Sequence, residues 1–260
     1  MSSTPQQTDR PLAAVILAAG KGTRMGGDLP KVLHQVAGKP MVHWVAEACR
    51  EVGASPLVVV VGYQSDRVRE AMAGDDDIVF VEQAEQLGTG HAVEVCREAI
   101  ADLGGDAFVL AGDGPLIRAR TLAAMADRHA ITLASGTLAT AVLDDATGYG
   151  RILRDSDDCF EAIVEQKNAS ETQLTIDEVY PSYAIFDVAD LFDMLEELPR
   201  DAVSGEYYLT EVPAMMRSQG KRIELVPGVP AEDILSINTP EQLARVDAIL
   251  QQRLHTEAAT

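Results

Sequence analysis

Positive charge is the scarcest resource of this chain. Its 260 residues hold 21 Lys and Arg against 41 Asp and Glu, a formal net charge of −20. Nucleic acid and anionic membrane both require basic protein surface, so neither is expected as a partner. Cysteine is also sparse. Cys49, Cys96 and Cys159 are odd in number and widely spaced. They form no metal-ligand pattern and point to a reducing compartment. The five histidines, His34, His43, His91, His129 and His255, do not cluster. There is no H-E-x-x-H and no G-x-S-x-G, so neither a zinc site nor a serine nucleophile is expected. No apolar run approaches the roughly 20 residues of a membrane span. Residues 1–10, MSSTPQQTDR, lack the apolar core of a secretory signal, so cytoplasm is the expected location. Internal repeats are absent, as is any linker rich in Gly, Pro or Ser.

The hydrophobic content of 47% and charged content of 24% are ordinary for a globular protein, and the length suffices for a substantial core. Nearly continuous apolar runs at 12–17, 57–61 (LVVVV), 78–81 and 107–111 (AFVLA) read as strands buried on both faces. Amphipathic helical patterns lie between them near 40–52, 64–73, 89–102 and 118–130, with Pro40 suited to a first turn. Residues 131–186 read mostly as strands. Helical patterns return at 188–197 and 207–218, before a strand at 222–227 and a last helix from 240. Thr239, Pro240 and Gln242 make a capping hydroxyl, a first-turn proline and a capping-box amide. The expectation is one doubly wound α/β domain over 11–254, a mostly parallel sheet with helices on both faces and a β-rich insertion. Residues 1–10 are expected to be a disordered tail, and 255–260 a C-terminal tail.

Against the acidic background, residues 14–31, AVILAAGKGTRMGGDLPK, stand out. A strand ending at Leu17 opens into a loop with Gly20, Gly22, Gly26 and Gly27, carrying Lys21, Arg24 and Lys31 but a single acid, Asp28. Glycines let backbone N–H groups approach oxygens closely, while Arg and Lys supply charge, so a polyphosphate is the implied ligand. The loop is not a P-loop, for no GK[ST] follows at the required spacing. Nor is it a dinucleotide fingerprint, since the third glycine position is Met25.

In open α/β sheets, ligands sit beyond the carboxyl ends of the strands. Gln83 and the segment Gln86-Leu87-Gly88-Thr89-Gly90 occupy such an end and open a helix. Gln offers a donor and an acceptor to a pyrimidine edge, although glycines also ease a helix start. Gly112-Asp113-Gly114-Pro115 follows another strand. Asp113 is placed to hold Mg²⁺ between phosphates, but Asp is equally a turn residue. Asn238 is either a neutral oxygen ligand or a helix-start residue. Gly150 allows backbone to approach a ligand, and Glu165 can accept from sugar hydroxyls. For Lys167 and Glu206 a solvated ion pair is at least as good a reading.

The patterns LAAGKGTRM, DLPKVLH, QAEQLGTGHA, TGYGRI and GEYY, in this order, resemble the uridylyltransferase domain of bacterial N-acetylglucosamine-1-phosphate uridylyltransferases, over about residues 12–250. The resemblance implies a Rossmann-like nucleotidyltransferase fold with a β-rich sugar-binding insertion. It implies formation of UDP-N-acetylglucosamine and pyrophosphate from UTP and N-acetylglucosamine 1-phosphate, with Mg²⁺ as cofactor. By position, Leu17, Ala18, Ala19, Gly20, Gln83, Gly88, Thr89 and Gly112 would serve the nucleotide, with Arg24 and Lys31 on the phosphates. Asp113 and Asn238 would hold Mg²⁺, while Gly150, Glu165, Tyr180 and Thr210 would face the sugar. Three departures stand against the pattern. Tyr180-Pro181-Ser182 replaces the usual Asn-Thr-Gly, Gly114 replaces a larger residue, and hexapeptide repeats of an acetyltransferase half are not seen after residue 250. Acetyl transfer is therefore not expected of this chain. The alternatives are the same chemistry on another sugar 1-phosphate or nucleotide, or a non-catalytic nucleotide-sugar sensor. Oligomeric state is left open.

Overall fold

A computed structural model describes residues 10–258. The chain begins with β1 (Leu12–Leu17), the two-residue strands β2 (Gln35–Val36) and β3 (Lys39–Pro40), and helix α1 (Met41–Glu51). Next come β4 (Leu57–Val61), α2 (Ser65–Ala71), β5 (Ile78–Glu82), α3 (Thr89–Glu94), α4 (Arg97–Ile100) and β6 (Asp106–Ala111). Helix α5 (Ala119–Thr132) leads into β7 (Gly136–Ala139), β8 (Ala141–Val142), β9 (Gly150–Arg154) and β10 (Phe160–Val164). The short α6 (Glu171–Leu174) precedes β11 (Glu178–Tyr180) and β12 (Tyr183–Asp187). Helices α7 (Val188–Glu196) and α8 (Val212–Ser218), strand β13 (Ile223–Val226) and helix α9 (Pro240–Ala258) complete the described chain.

Seven strands form the main sheet in the order β13-β7-β12-β6-β1-β4-β5, with β12 antiparallel to both neighbours and the other pairs parallel. The apolar runs alternate between two faces. Ala14, Ile16, Val59 and Phe108 pack with Val42 and Val45 of α1 and Leu122 and Met125 of α5. Ala13, Val15, Val58 and Val109 pack with Val93 of α3, Leu191 of α7 and Val212 of α8. Helices therefore cover both faces, and the expected Rossmann-like α/β layout is what the chain adopts.

The β-rich middle is a second, four-stranded antiparallel sheet, β10-β9-β11-β8. The chain passes between the sheets at two corners, Thr140 and Pro181-Ser182. Ser182 turns its corner in the left-handed region, at φ +65°.

Several boundaries differ from the sequence reading. Pro40 is extended, at ψ 143°, and precedes α1 instead of occupying its first turn. The pattern at 89–102 divides into α3 and α4, and no Gly or Pro marks the break. Helix was expected from 207, but Tyr207 and Tyr208 precede the helical residues because the Tyr207 main chain is bonded elsewhere, to Leu87 and Gly90. Helix α9 continues to Ala258, so residues 255–258 are helix and not tail. Of the expected N-terminal tail, 1–9 lie outside the described residues, while Arg10 reaches Asp106 at 2.7 Å and is tied to the sheet.

Candidate active site

The cationic loop is held at both ends. At its start, Ala18 donates to the Val60 carbonyl at 2.9 Å, and the Ala19 carbonyl accepts from Tyr63 at 3.0 Å. Two short 3₁₀ turns, Thr23–Met25 and Lys31–Leu33, then bury Met25, Val32 and Leu33. Arg24 is left exposed and the Lys31 head is aimed inward. Gly22 lies in the left-handed region at φ +64°, and a Cβ there would fall 2.5 Å from the Lys31 Cβ. Only glycine allows this approach of loop to lysine stem.

Beyond β6, Asp113 meets the far end of the chain. Its carbonyl accepts the Ile237 amide at 3.2 Å. Asn238 follows at the start of α9, where the anticipated capping box forms. The Thr239 hydroxyl accepts from Gln242 N at 3.3 Å, and the Gln242 carboxamide accepts from the amides of Thr239 at 3.2 Å and Asn238 at 2.7 Å. Lys31 Nζ donates to Asp113 Oδ2 and, at 2.7 Å, to Asn238 Oδ1. Arg24 Nη2 donates to the same Asn238 oxygen at 2.8 Å.

The opposite wall comes from β5 and α3. Gln83 is 3% exposed, and its Nε2 sits 3.0 Å from the Gly88 carbonyl and 3.1 Å from His91 Nδ1. Gly88 has φ +104° and abuts the Tyr207 main chain. Tyr207 N donates to the Leu87 carbonyl, and Gly90 N to the Tyr207 carbonyl, each at 2.8 Å. The Thr89 hydroxyl accepts from Leu209 N at 3.0 Å. This clasp brings Glu206 and Tyr208 to the mouth of a cleft of about 350 Å³.

Of the residues singled out in the sequence, Leu17, Ala19, Gly20, Lys31, Gln83, Gly88, Thr89 and Asp113 line that cleft. Arg24 and Asn238 adjoin it through Lys31. Ala18 and Gly112 do not reach it. Both are buried, and their amides are engaged by Val60 and Leu17. The sugar-side candidates gather around the small sheet. Gly150 pairs with Tyr180, and the Thr210 hydroxyl donates to Glu165 Oε1 at 3.0 Å. Gly150 has a packing role, since a Cβ there would lie 2.8 Å from Ile163. Tyr180 is 6% exposed within the apolar core, and burial together with the Glu165 carboxylate pushes its phenol up. It does not line the cleft as the sequence suggested; Ser182 does. Burial likewise raises the Glu211 carboxyl, helped by Asp201 and Glu165.

Sequence reasoning assigned no role to Ser182 or Tyr208, and weighed Glu206 only as a partner for Lys167. Lys167 instead donates to the Tyr208 hydroxyl, which raises its own pKa. Glu206 and Tyr208 lie beside Gly205 in the sequence, but the clasp is a long-range pairing with Leu87 and Gly90 that no local pattern signals. The Gly114 departure has a packing reason. A Cβ on Gly114 would lie 2.8 Å from the Tyr183 hydroxyl, which donates to the Asp233 carbonyl at 3.1 Å.

The donor set suits a hard divalent cation. Asp113 and Asn238 turn one oxygen each toward a single positive point, the Lys31 ammonium. Among the described residues no group of three or more His, Cys, Asp and Glu gathers as a metal site. Carboxylate and carboxamide oxygens are the ligand type of hard cations, of which Mg²⁺ takes only one or two from a protein. No thiol nucleophile is present here: burial pushes Cys49 and Cys96 up to about 12, and Cys159 lies exposed in the small sheet's Asp155–Cys159 turn.

Comparison with known proteins agrees with this architecture. The chain is 43% identical over 246 residues to "Bifunctional protein GlmU" of Geobacter metallireducens, covering 95% of this chain and 52% of that protein. Proteins of the same description from Pelobacter propionicus and Lactococcus lactis are 41% and 42% identical, with 54% and 53% of their lengths covered. The chain thus spans about half the length of the curated relatives it matches. Residues 14–207, from β1 through the glycine-rich loop to the Tyr207 clasp, match the MobA-like NTP transferase domain, and the chain belongs to that family.

Proposed function

We propose that this chain is a Mg²⁺-dependent uridylyltransferase that forms UDP-N-acetylglucosamine and pyrophosphate from UTP and N-acetylglucosamine 1-phosphate. The observation that carries the reading is a cleft lined by Lys31, Asp113 and the buried Gln83, with Arg24 and Asn238 joined to it through Lys31. The similarity to the GlmU proteins over nearly the whole chain supports the substrate assignment.

In this reading a phosphate oxygen of the sugar phosphate attacks the α-phosphorus of UTP. The bond from that phosphorus to the bridging oxygen breaks, and pyrophosphate leaves with the electron pair. Leu17, Ala19 and Gly20 floor the nucleotide site, and Gln83 and Gln86 face the base. Arg24 and Lys31 neutralise phosphate oxygens. Asp113 and Asn238 would hold Mg²⁺, which would supply charge stabilisation to the transferring group. Positioning and charge carry most of the rate in such displacements, so no covalent nucleophile is needed. Glu165 and Thr210 serve the sugar from the small sheet. We also infer a cytoplasmic location, a reducing compartment in which buried free thiols such as Cys49 and Cys96 persist.

Pyrophosphate release with Mg²⁺ and UTP, across sugar 1-phosphates with and without an N-acetyl group, tests the proposal. Preference for N-acetylglucosamine 1-phosphate supports it. One observation favours a second reading, a different sugar 1-phosphate: Tyr180, which stands where the family pattern has an amide, is buried in the core and does not line the cleft. Asp113→Ala is expected to lower turnover by about 10³-fold, a loss of the size seen when one charge-stabilising group is removed. Wild-type turnover in that variant would refute the metal assignment, and no release with any pair would leave a nucleotide-sugar sensor.

A further inference from the structure

The cations of the phosphate loop sit on the same oxygens that suit the metal. Lys31 Nζ is bonded to Asp113 and lies 2.7 Å from Asn238 Oδ1, while Arg24 Nη2 lies 2.8 Å from that same Oδ1. The Lys31 and Asp113 side chains are only 14% and 18% exposed, so the contact is largely shielded from water. A divalent ion binds oxygen at about 2.0–2.1 Å and cannot share these donors with an ammonium group already seated between them. The loop and the lysine are also mechanically joined. A Cβ at Gly22 would lie 2.5 Å from the Lys31 Cβ and 3.0 Å from its Cγ, so the glycine backbone rests on the lysine stem. Displacing the loop displaces the ammonium group.

We propose that Lys31 is a built-in stand-in for the metal, with Arg24 as a second hold on Asn238, and that a divalent ion gains Asp113 and Asn238 only when a triphosphate draws both cations away. The inference rests on reading this cleft as a metal and nucleotide site, but it concerns binding and not turnover. Phosphate oxygens are the ligand class that can compete for an ammonium and a guanidinium group together. Metal and nucleotide then bind with positive coupling, and the coupling is reciprocal. Lys31 is a positioning residue in this step, because it acts by vacating a place.

The test is Mn²⁺ binding to the full chain, followed by the EPR signal of the free hydrated ion, without nucleotide and with a non-hydrolysable UTP analogue. Lys31→Met is expected to bind Mn²⁺ about tenfold more tightly than wild type in the absence of nucleotide. The same variant should show a correspondingly smaller gain on adding the analogue. Asp113→Asn in the Lys31→Met background should abolish the gain, which assigns it to this site. Gly22→Ala keeps every charge but pushes the lysine stem, and it should also tighten Mn²⁺ binding. Folded Lys31→Met with wild-type Mn²⁺ affinity overturns the proposal. If that variant does not fold, unchanged affinity in Gly22→Ala overturns it. Neither readout needs a sugar substrate, so absence of pyrophosphate release and absence of coupling are separate results.

Discussion

Gly88 fixes the wall of the cleft, and Gly88→Ala measures how firmly. The native backbone there has φ +104°, and the new Cβ would fall 2.5 Å from the Tyr207 carbonyl oxygen and 2.8 Å from its nitrogen. Both neighbours are main chain, so neither can rotate aside. Holding alanine in that conformation costs about 1–3 kcal/mol. Relief of the clash requires the clasp to open, which forfeits the Tyr207–Leu87, Gly90–Tyr207 and Leu209–Thr89 hydrogen bonds. At about 1 kcal/mol each, the combined destabilisation is about 4–6 kcal/mol. That is a large part of the 5–15 kcal/mol by which a domain is usually stable. Urea unfolding gives the loss, and amide exchange at Gly90 and Tyr207 shows whether the clasp has opened. The Michaelis constant for the sugar phosphate should rise as Glu206 and Tyr208 leave the mouth of the cleft. An unchanged urea midpoint, within about 0.5 kcal/mol, together with retained protection at Tyr207 would refute the reasoning.

Two other substitutions probe separate parts of the site, and a third probes the small sheet. Ser182→Gly removes a left-handed serine at the corner between the sheets, and calorimetry should show about 0.5–1 kcal/mol of added stability after allowing for the looser unfolded chain. The same change removes the hydroxyl from the cleft, so a rise in the Michaelis constant for the sugar phosphate but not for UTP is expected. Thr239→Ala deletes the hydroxyl of the capping box at α9, costing about 1 kcal/mol, and a Mg²⁺ titration of pyrophosphate release should shift to higher concentration as Asn238 loosens. Burial alone would raise the Glu178 carboxyl, but the Arg154 guanidinium and the Thr140 hydroxyl outweigh it and hold the group below the ordinary range. The stabilisation is present above the unfolded value and is lost as pH falls through the lower folded one. Glu178→Gln should cost about 1–3 kcal/mol at neutral pH, with the difference from wild type closing below about pH 4.

Much of the fold was legible because burial on both faces of a parallel strand demands a continuous apolar run. LVVVV at β4 and AFVLA at β6 could hardly be anything else. The glycine-rich loop was legible for the opposite reason, as local positive charge in an acidic chain. The capping box at Thr239 and Gln242 was readable because its partners are three residues apart. The clasp was not. Gly88 looked like an eased helix start, and only the fold brings the Tyr207 main chain against it. Tyr180 was expected to face the sugar because it replaces an amide there, yet an aromatic ring gains more by burial in the core, and Ser182 is left in the cleft. The antiparallel insertion of β12 between β6 and β7 also leaves no local mark, since Tyr183–Asp187 reads like any other buried strand.

The bond between the Ile237 amide and the Asp113 carbonyl joins two distant parts of the chain. During synthesis the glycine-rich loop, Asp113 and all strands of the small sheet emerge well before Ile237. In the reading proposed above, a nascent chain has its phosphate loop before it has both oxygens of the cation site. In that reading, sensitivity to divalent ions is acquired only once residues 237–238 have emerged. A proteolytic cut just ahead of residue 237 is then expected to silence the proposed ion response, which makes that response a report on the join between Asp113 and Ile237.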